Sequence, residues 1–281
     1  MSRHKIKILD NGNLEVNADF FEWFEFNELF TVKDLVSWPD KTILKNAAKD
    51  RYTMKLRLPG IGGAKKDFIV KYFRSKPLFK RSMEYLDPFH RPSGARHEWN
   101  AMWAFLDLGL PGPVPVAWGQ GRNFSAVVSE AINHVMKLDQ WAEKKCGSTD
   151  PKGDEWLGIK EDLIKDVAKI VGKMHANGLH HQDLYLCHFL CGSEKYGRPL
   201  TLIDLQRVRK HRKLPRRWQI KDLAQLYFSS ERFVTEADRT FFWRVYKKTY
   251  GGISENEEQF LWRSIAKKSR RIRRHTEKHG L

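Results

Sequence analysis

The 281-residue sequence predicts a two-lobed α+β fold, in which a small antiparallel sheet with one helix precedes a mostly helical lobe. Three observations predict it. Short β-prone runs separated by turn signals occupy residues 42–73. Helical periodicity dominates the second half of the chain. Between them, a β-prone run over 124–129 leads into a crossover near residue 132. The expected organisation is an N-terminal extension over 1–40, an N-lobe over 41–131 and a C-lobe over 132–281 that ends in a basic tail. Hydrophobic residues at 41% and aromatics at 12% supply enough apolar surface to offset chain entropy, which excludes a wholly disordered chain.

Each element has its own signal. The run DFFEWFEFNELF (19–30) mixes aromatics with acids and reads as an amphipathic helix or strand lying on the body. TILKN, RYTMKLRLP and DFIVKYF read as consecutive antiparallel strands. Gly60, Gly62 and Gly63 lie between two of these runs, and neither GxxxxGK[ST] nor GxGxxG is present, so a hairpin turn is favoured over a phosphate loop. In ARHEWNAMWAFLDLG, Trp99, Met102, Trp103 and Leu106 recur at helical spacing, with Gly109 past the end. Pro111, Pro113 and Pro115 then break the helix. Leu163, Ile164, Val167, Ile170, Val171 and Met174 mark a long amphipathic helix closed by Asn177-Gly178. Further helical patterns cover 220–228 and 237–250, and another begins near Glu257.

Lys and Arg number 51 against 34 Asp and Glu, a formal net charge of +17, so an anionic partner is expected: nucleic acid, an acidic membrane face or a phosphorylated glycolipid. Three cysteines, an odd and small number, argue against a disulfide-stapled scaffold and fit a reducing cytosol. No run reaches the roughly 18 apolar residues of a membrane span, nor does the N-terminal stretch carry an apolar run of signal-peptide length.

The chemistry concentrates after the long helix. In HHQDLYLCHFL (180–190), Asp183 falls in a loop fixed by that helix, and the strand-like LTLIDLQ carries Asp204 near its end. Two carboxylates so placed suit base and metal work. The set His181-x-Asp183 with His188 resembles the protein-kinase catalytic loop HRDxxxxN with histidine in the asparagine place, and Asp204 resembles the DFG aspartate. Lys71 in FIVKYF resembles the VAIK lysine, and Glu98 its ion-pair partner, with Glu84 as the alternative. More narrowly, HQDLYLCHFL, LIDLQRVR and LPRRWQIKDLAQLYFSS resemble the bacterial lipopolysaccharide kinase family, the WaaP and Kdo-kinase group.

That resemblance implies a protein-kinase-like fold, ATP and Mg²⁺ as cofactors, and phosphorylation of a heptose or Kdo hydroxyl of the lipopolysaccharide core. Asp183 would orient and deprotonate the attacking hydroxyl. Asp204 would hold Mg²⁺, with His188 at a second metal or phosphate position. Lys71, held by Glu98, would contact the phosphates, and the segment ending in Glu130 and Ile132 would offer backbone groups to adenine. His181 and Asp222 would support the catalytic loop. Gln182 replaces the arginine that senses a phosphorylated activation loop, so that switch is not expected.

Asp222 follows Asp204 closely, which leaves little room to cradle a peptide and favours a small or glycolipid acceptor. The intervening Arg207 and Arg209, with Arg216 and Arg217, are candidate ligands of an anionic sugar, since guanidinium forks match phosphate and carboxylate. The spacing of His180, His181, Cys187, His188 and Cys191 matches no zinc pattern. The tail 263–281 carries eight Lys or Arg against the single Glu277 and could contact an anionic membrane. A cytoplasmic protein, peripheral on the inner membrane face, is the expected location. Alternatives are a kinase for protein or another small molecule, and an inactive kinase-like binding module. No RNA-recognition or zinc-finger pattern supports a specific nucleic-acid partner.

Overall fold

The computed structural model describes residues 4–48, 51–74, 94–146 and 154–279. The chain divides into two compact units: Met1–Gly109 with Pro113–Ile132, and Leu110–Gly112 with Asn133–Leu281.

The first unit is built on a seven-stranded antiparallel sheet. Its strands are β1 (Ile6–Leu9), β2 (Leu14–Asn17), β3 (Lys41–Ala48), β4 (Arg51–Pro59), β5 (Lys65–Arg74), β6 (Pro115–Gln120) and β7 (Phe124–Glu130), in the order β1-β2-β6-β7-β5-β4-β3. Alternation drives the packing. Met54, Leu56 and Leu58 of β4 and Phe68 and Val70 of β5 are buried on one face, while Lys71 points to the other. The glycine segment forms the turn between β4 and β5, with Gly62 and Gly63 at φ +68° and +80°.

Residues 1–40, expected as an extension, instead supply β1 and β2 to this sheet. Leu14 and Val16 alternate into the core, and β2 satisfies its backbone by pairing with β6 about a hundred residues later. The aromatic-acid run forms the short helix α1 (Phe21–Phe26). With α2 (Val32–Ser37), capped by a Thr31–Asp34 capping box, it lays Phe24, Val32 and Leu35 on the same core. In helix α3 (Ala95–Asp107), Trp99, Met102 and Trp103 are buried as the spacing predicts, Leu106 is exposed instead, and Ala95, Glu98 and Phe105 extend the buried face. The buried face is wider than the predicted stripe and takes in a carboxylate, that of Glu98.

The second unit is mostly helical. Helix α4 (Leu138–Cys146) and the long α5 (Asp154–Ala176) precede two small sheets. One pairs β8 (Met136–Lys137), β10 (Phe189–Cys191) and β11 (Leu200–Leu202); the other pairs β9 (Leu179–His180) with β12 (Arg209–Lys210). Helices α6 (Arg216–Ser230), α7 (Glu236–Tyr250) and α8 (Glu255–His279) complete it. Gly178 ends α5 at φ +76°, and a Cβ there would lie 2.0 Å from the His211 carbonyl oxygen. Only glycine fits, and the close approach lets the His211 N–H reach the Gly178 oxygen at 2.9 Å. The β9–β12 ladder therefore starts at Leu179, straight after the two-residue turn Asn177-Gly178 that ends the helix. Among the described residues, no helix is long and apolar enough to cross a membrane.

Candidate active site

In the first unit, Lys71 sits at the centre of β5, between Thr53 of β4 and Val127 of β7. Its ammonium donates to Glu98 Oε1 at 2.6 Å, and the Glu98 side chain is only 3% exposed. A carboxylate this deep needs a cation, because unpaired buried charge costs several kcal/mol by order of magnitude. Glu84, the alternative partner, lies outside the described residues. Glu130 closes β7, where its N–H donates to the Val114 oxygen at 3.1 Å and its carboxylate pairs with Lys66 at 2.8 Å. Ile132, half-buried, is the last residue of this unit. Nearby, the Arg57 hydrogen bond, with Lys55 beside it, holds the Asp67 carboxyl down to about 2.

In the second unit the loop after β9 is docked on α6. Asp222, fully buried, accepts from the backbone N–H of His181 at 2.6 Å and of Gln182 at 2.8 Å. Gln225 Oε1 accepts from the Leu184 N–H at 3.2 Å, and Ser229 Oγ from the Leu186 N–H at 3.0 Å. Positions 222, 225 and 229 share one helix face, so a single stripe of α6 grips the loop that carries Asp183. The sequence reading found Asp222 and missed Gln225 and Ser229. The available signal was their i, i+3, i+7 spacing within KDLAQLYFSS.

A buried chain supports Asp222 from behind. Gln219 Nε2 donates to the Tyr246 hydroxyl at 2.8 Å, that hydroxyl lies 2.9 Å from His175 Nδ1, and His175 Nε2 lies 3.3 Å from Asp222 Oδ2. The carboxylate can only accept, so Nε2 carries the proton and Nδ1 receives the tyrosine's. Every link is then satisfied.

The strand end that holds Asp204 is tied to the same loop. His181 Nε2 donates to the Ile203 oxygen at 3.0 Å, and the Ile203 N–H donates to the His188 oxygen at 2.9 Å. His188 Nδ1 donates to the Asp183 carbonyl at 2.6 Å, which leaves Nε2 facing Asp204 Oδ2 at 3.7 Å. Asp204 itself adopts a left-handed conformation (φ 63°, ψ 54°), as does Gln182 (φ 72°). Sparsely populated backbone of this kind collects at functional sites. The structure thus brings His181, Asp183, His188, Asp204 and Asp222 together.

The basic residues separate. The Arg207 guanidinium donates through Nη1 to both Asp183 oxygens, at 3.0 and 2.8 Å. Arg209 lies in β12. Arg216 is engaged by Glu257 and by Gln219, while Arg217, exposed, lies over the Trp218 ring at 5.3 Å. On α8, Arg263, Lys267, Arg270, Arg271, Arg274 and Lys278 are exposed.

Asp204 is an oxygen donor with its side chain 29% exposed, and His188 Nε2 faces it. Mg²⁺ sites in phosphoryl-transfer enzymes commonly use one or two protein carboxylates, the remaining ligands being water and phosphate. These residues fit such a group, although no cluster of three metal-ligating side chains occurs among the described residues. Cys187 and Cys191 are free thiols, and burial pushes Cys191 up to about 12, away from the metal-binding thiolate.

The lipopolysaccharide kinase (Kdo/WaaP) family model matches residues 63–246. The chain is 31% identical over 242 residues to the lipopolysaccharide core heptose(I) kinase WaaP of Escherichia coli, covering 82% of this chain and 87% of that protein. Its identity to the protein of the same name from Pseudomonas aeruginosa is 33% over 163 residues, 54% of this chain and 59% of that one. Among solved structures, WaaP in complex with acyl carrier protein superimposes with a TM-score of 0.67 at 23% identity, covering 95% of this chain and 99% of that one. The last likeness establishes the protein-kinase-like α+β fold.

Burial shapes the titration of the loop. Burial foremost, opposed by the Asp222 charge, pushes His180 down to about 3, and burial likewise lowers His181. Burial raises Asp222, but hydrogen bonds from His175 and the His181 amide outweigh it and leave the carboxyl below its usual range. In the unfolded chain the histidines titrate near pH 6.5. Below that value the unfolded chain binds protons that the folded chain refuses, so stability falls with pH, on the order of 1 kcal/mol per pH unit for each histidine. Denaturant unfolding at pH 6.5 and 5.0 should show this loss. His180→Phe, which keeps a ring on Trp218, should flatten it; equal stability of the wild type at both pH values would contradict the assignment.

Proposed function

The chain belongs to the lipopolysaccharide kinase (Kdo/WaaP) family, and on that premise we propose that it transfers the γ-phosphoryl group of ATP to a sugar hydroxyl of the lipopolysaccharide core. The curated relatives are named heptose(I) kinases, which favours heptose over Kdo as the acceptor. The observation that carries the reading is the Asp183 loop, with its backbone gripped by α6 and tied to Asp204 through His181 and His188.

The acceptor oxygen bonds to the γ-phosphorus as the bond to the β–γ bridging oxygen breaks and ADP leaves. The hydroxyl proton passes to the Asp183 carboxylate. Because the transition state is loose, orientation of the hydroxyl matters more than strong basicity, and a loop with fixed backbone meets that need. Lys71, steadied by Glu98, binds phosphate oxygens. Asp204, with His188, would hold Mg²⁺, which would supply charge neutralisation on the phosphates. Glu130 and Ile132 frame the adenine segment. Only residues 205–215 separate Asp204 from α6, which favours a sugar over a peptide acceptor. Arg209 and the exposed Arg217 are the basic groups assigned to the acceptor's anionic substituents.

A partner follows from a second observation. An apolar cavity of about 130 Å³ lies among α4–α8, lined by Leu163, Val167, Leu226, Phe242, Trp243 and Trp262. We assign it to an acyl chain delivered by acyl carrier protein, the partner named for the structural neighbour.

Two experiments test these readings. With labelled ATP and purified core oligosaccharide, Asp183→Ala should lose at least about 100-fold in transfer at unchanged thermal midpoint; retained turnover would refute the base. Acyl-loaded carrier protein should raise the thermal midpoint more than the unacylated form, and equal shifts would refute the cavity's assignment.

A further inference from the structure

Arg207 belongs by position to the basic segment expected to meet the acceptor, yet its contacts point inward. Left-handed Asp204 starts a single 3₁₀ turn, Leu205–Arg207, pinned at both ends by buried Leu205 and Val208. The Arg207 carbonyl accepts from the buried Gln182 side chain at 2.7 Å. Its guanidinium, at the other end of the residue, reaches both oxygens of Asp183. One arginine is therefore held through its backbone by residue 182 and spends its side chain on residue 183.

We propose that Arg207 is a positioning residue for the Asp183 carboxylate and not a ligand of the acceptor. The inference rests on the reading of Asp183 as the group that orients the acceptor. An aspartate retains two side-chain torsions even when its backbone is fixed, and the α6 grip acts on backbone alone. Arg207 removes that remaining freedom. It also offsets one negative charge where an anionic phosphoryl group must approach, a like-charge repulsion that a bare carboxylate would present. Neither effect depends on what the acceptor is. The pair is partly exposed, the arginine side chain 46% and the aspartate 22%, and such pairs contribute at most about 1 kcal/mol to stability. Its loss should be read in turnover rather than in folding.

Basal ATP hydrolysis separates the two roles, because water then replaces the sugar and no acceptor anion is present. In the full-length protein, Arg207→Ala should lower the hydrolysis kcat about 10- to 100-fold with the KM for ATP changed less than about 2-fold. Arg207→Lys should recover part of the loss. In an Asp183→Asn background, Arg207→Ala should add less than about 2-fold, since the group it positions is already gone. An Arg207→Ala enzyme that hydrolyses ATP at the wild-type rate but shows a raised acceptor KM would overturn the proposal, as would two losses that simply multiply. Wild-type hydrolysis by Asp183→Asn would overturn both the inference and its premise. A wild type that hydrolyses ATP yet phosphorylates no core sugar would overturn the acceptor's identity alone, leaving the hydrolysis cycle to decide Arg207.

Discussion

The buried carboxylate of Asp222, accepting the backbone N–H groups of His181 and Gln182, is the constraint on which the second unit's chemistry depends. Burying an ionised carboxylate costs several kcal/mol by order of magnitude unless its oxygens are filled. Here two amides and His175 fill them, and charge-assisted bonds contribute about 1.5–3 kcal/mol each. The arrangement is stable only while the loop backbone keeps its course, including the left-handed turn at Gln182. Desolvation thus becomes a positioning device: the loop cannot drift without stranding a charge. Asp183 inherits its place from neighbours on either side of it, and its side chain remains partly exposed.

The first unit uses the same logic once. Glu98 is turned into the interior by the face that α3 presents, and Lys71 answers it from the central region of the sheet. An ammonium carries three donors, and this suits contact with phosphate. In both units a buried acid orders a group of opposite or complementary character. Part of the positive charge of the chain is displayed on the exposed residues of α8 and around the head of α6.

Legibility in the sequence followed locality. Strands β4 and β5 and helix α5 were readable because alternation and helical spacing are written within a dozen residues. The loop with Asp183, the strand end with Asp204 and the helix with Asp222 were readable because their motifs are compact. Strands β1 and β2 were not, since four residues carry too little periodicity and their partner β6 lies far along the chain. The support behind Asp222 was equally hidden: His175, Gln219 and Tyr246 look like ordinary helix residues until three helices converge. Arg207 was legible as a cation but not as one directed inward. Its direction is set by the left-handed residue at 204, a property no composition rule reveals. On α3 the stripe was right at Trp99, Met102 and Trp103 and wrong at Leu106, which is as apolar as the residues actually packed.

Amide hydrogen exchange in wild-type protein and in Asp222→Asn tests the central claim most directly. The account predicts that the His181 and Gln182 amides lose at least about 10-fold of protection in the variant while those in the middle of α5, such as Val171, stay protected. Unchanged protection at residues 181 and 182 would contradict it.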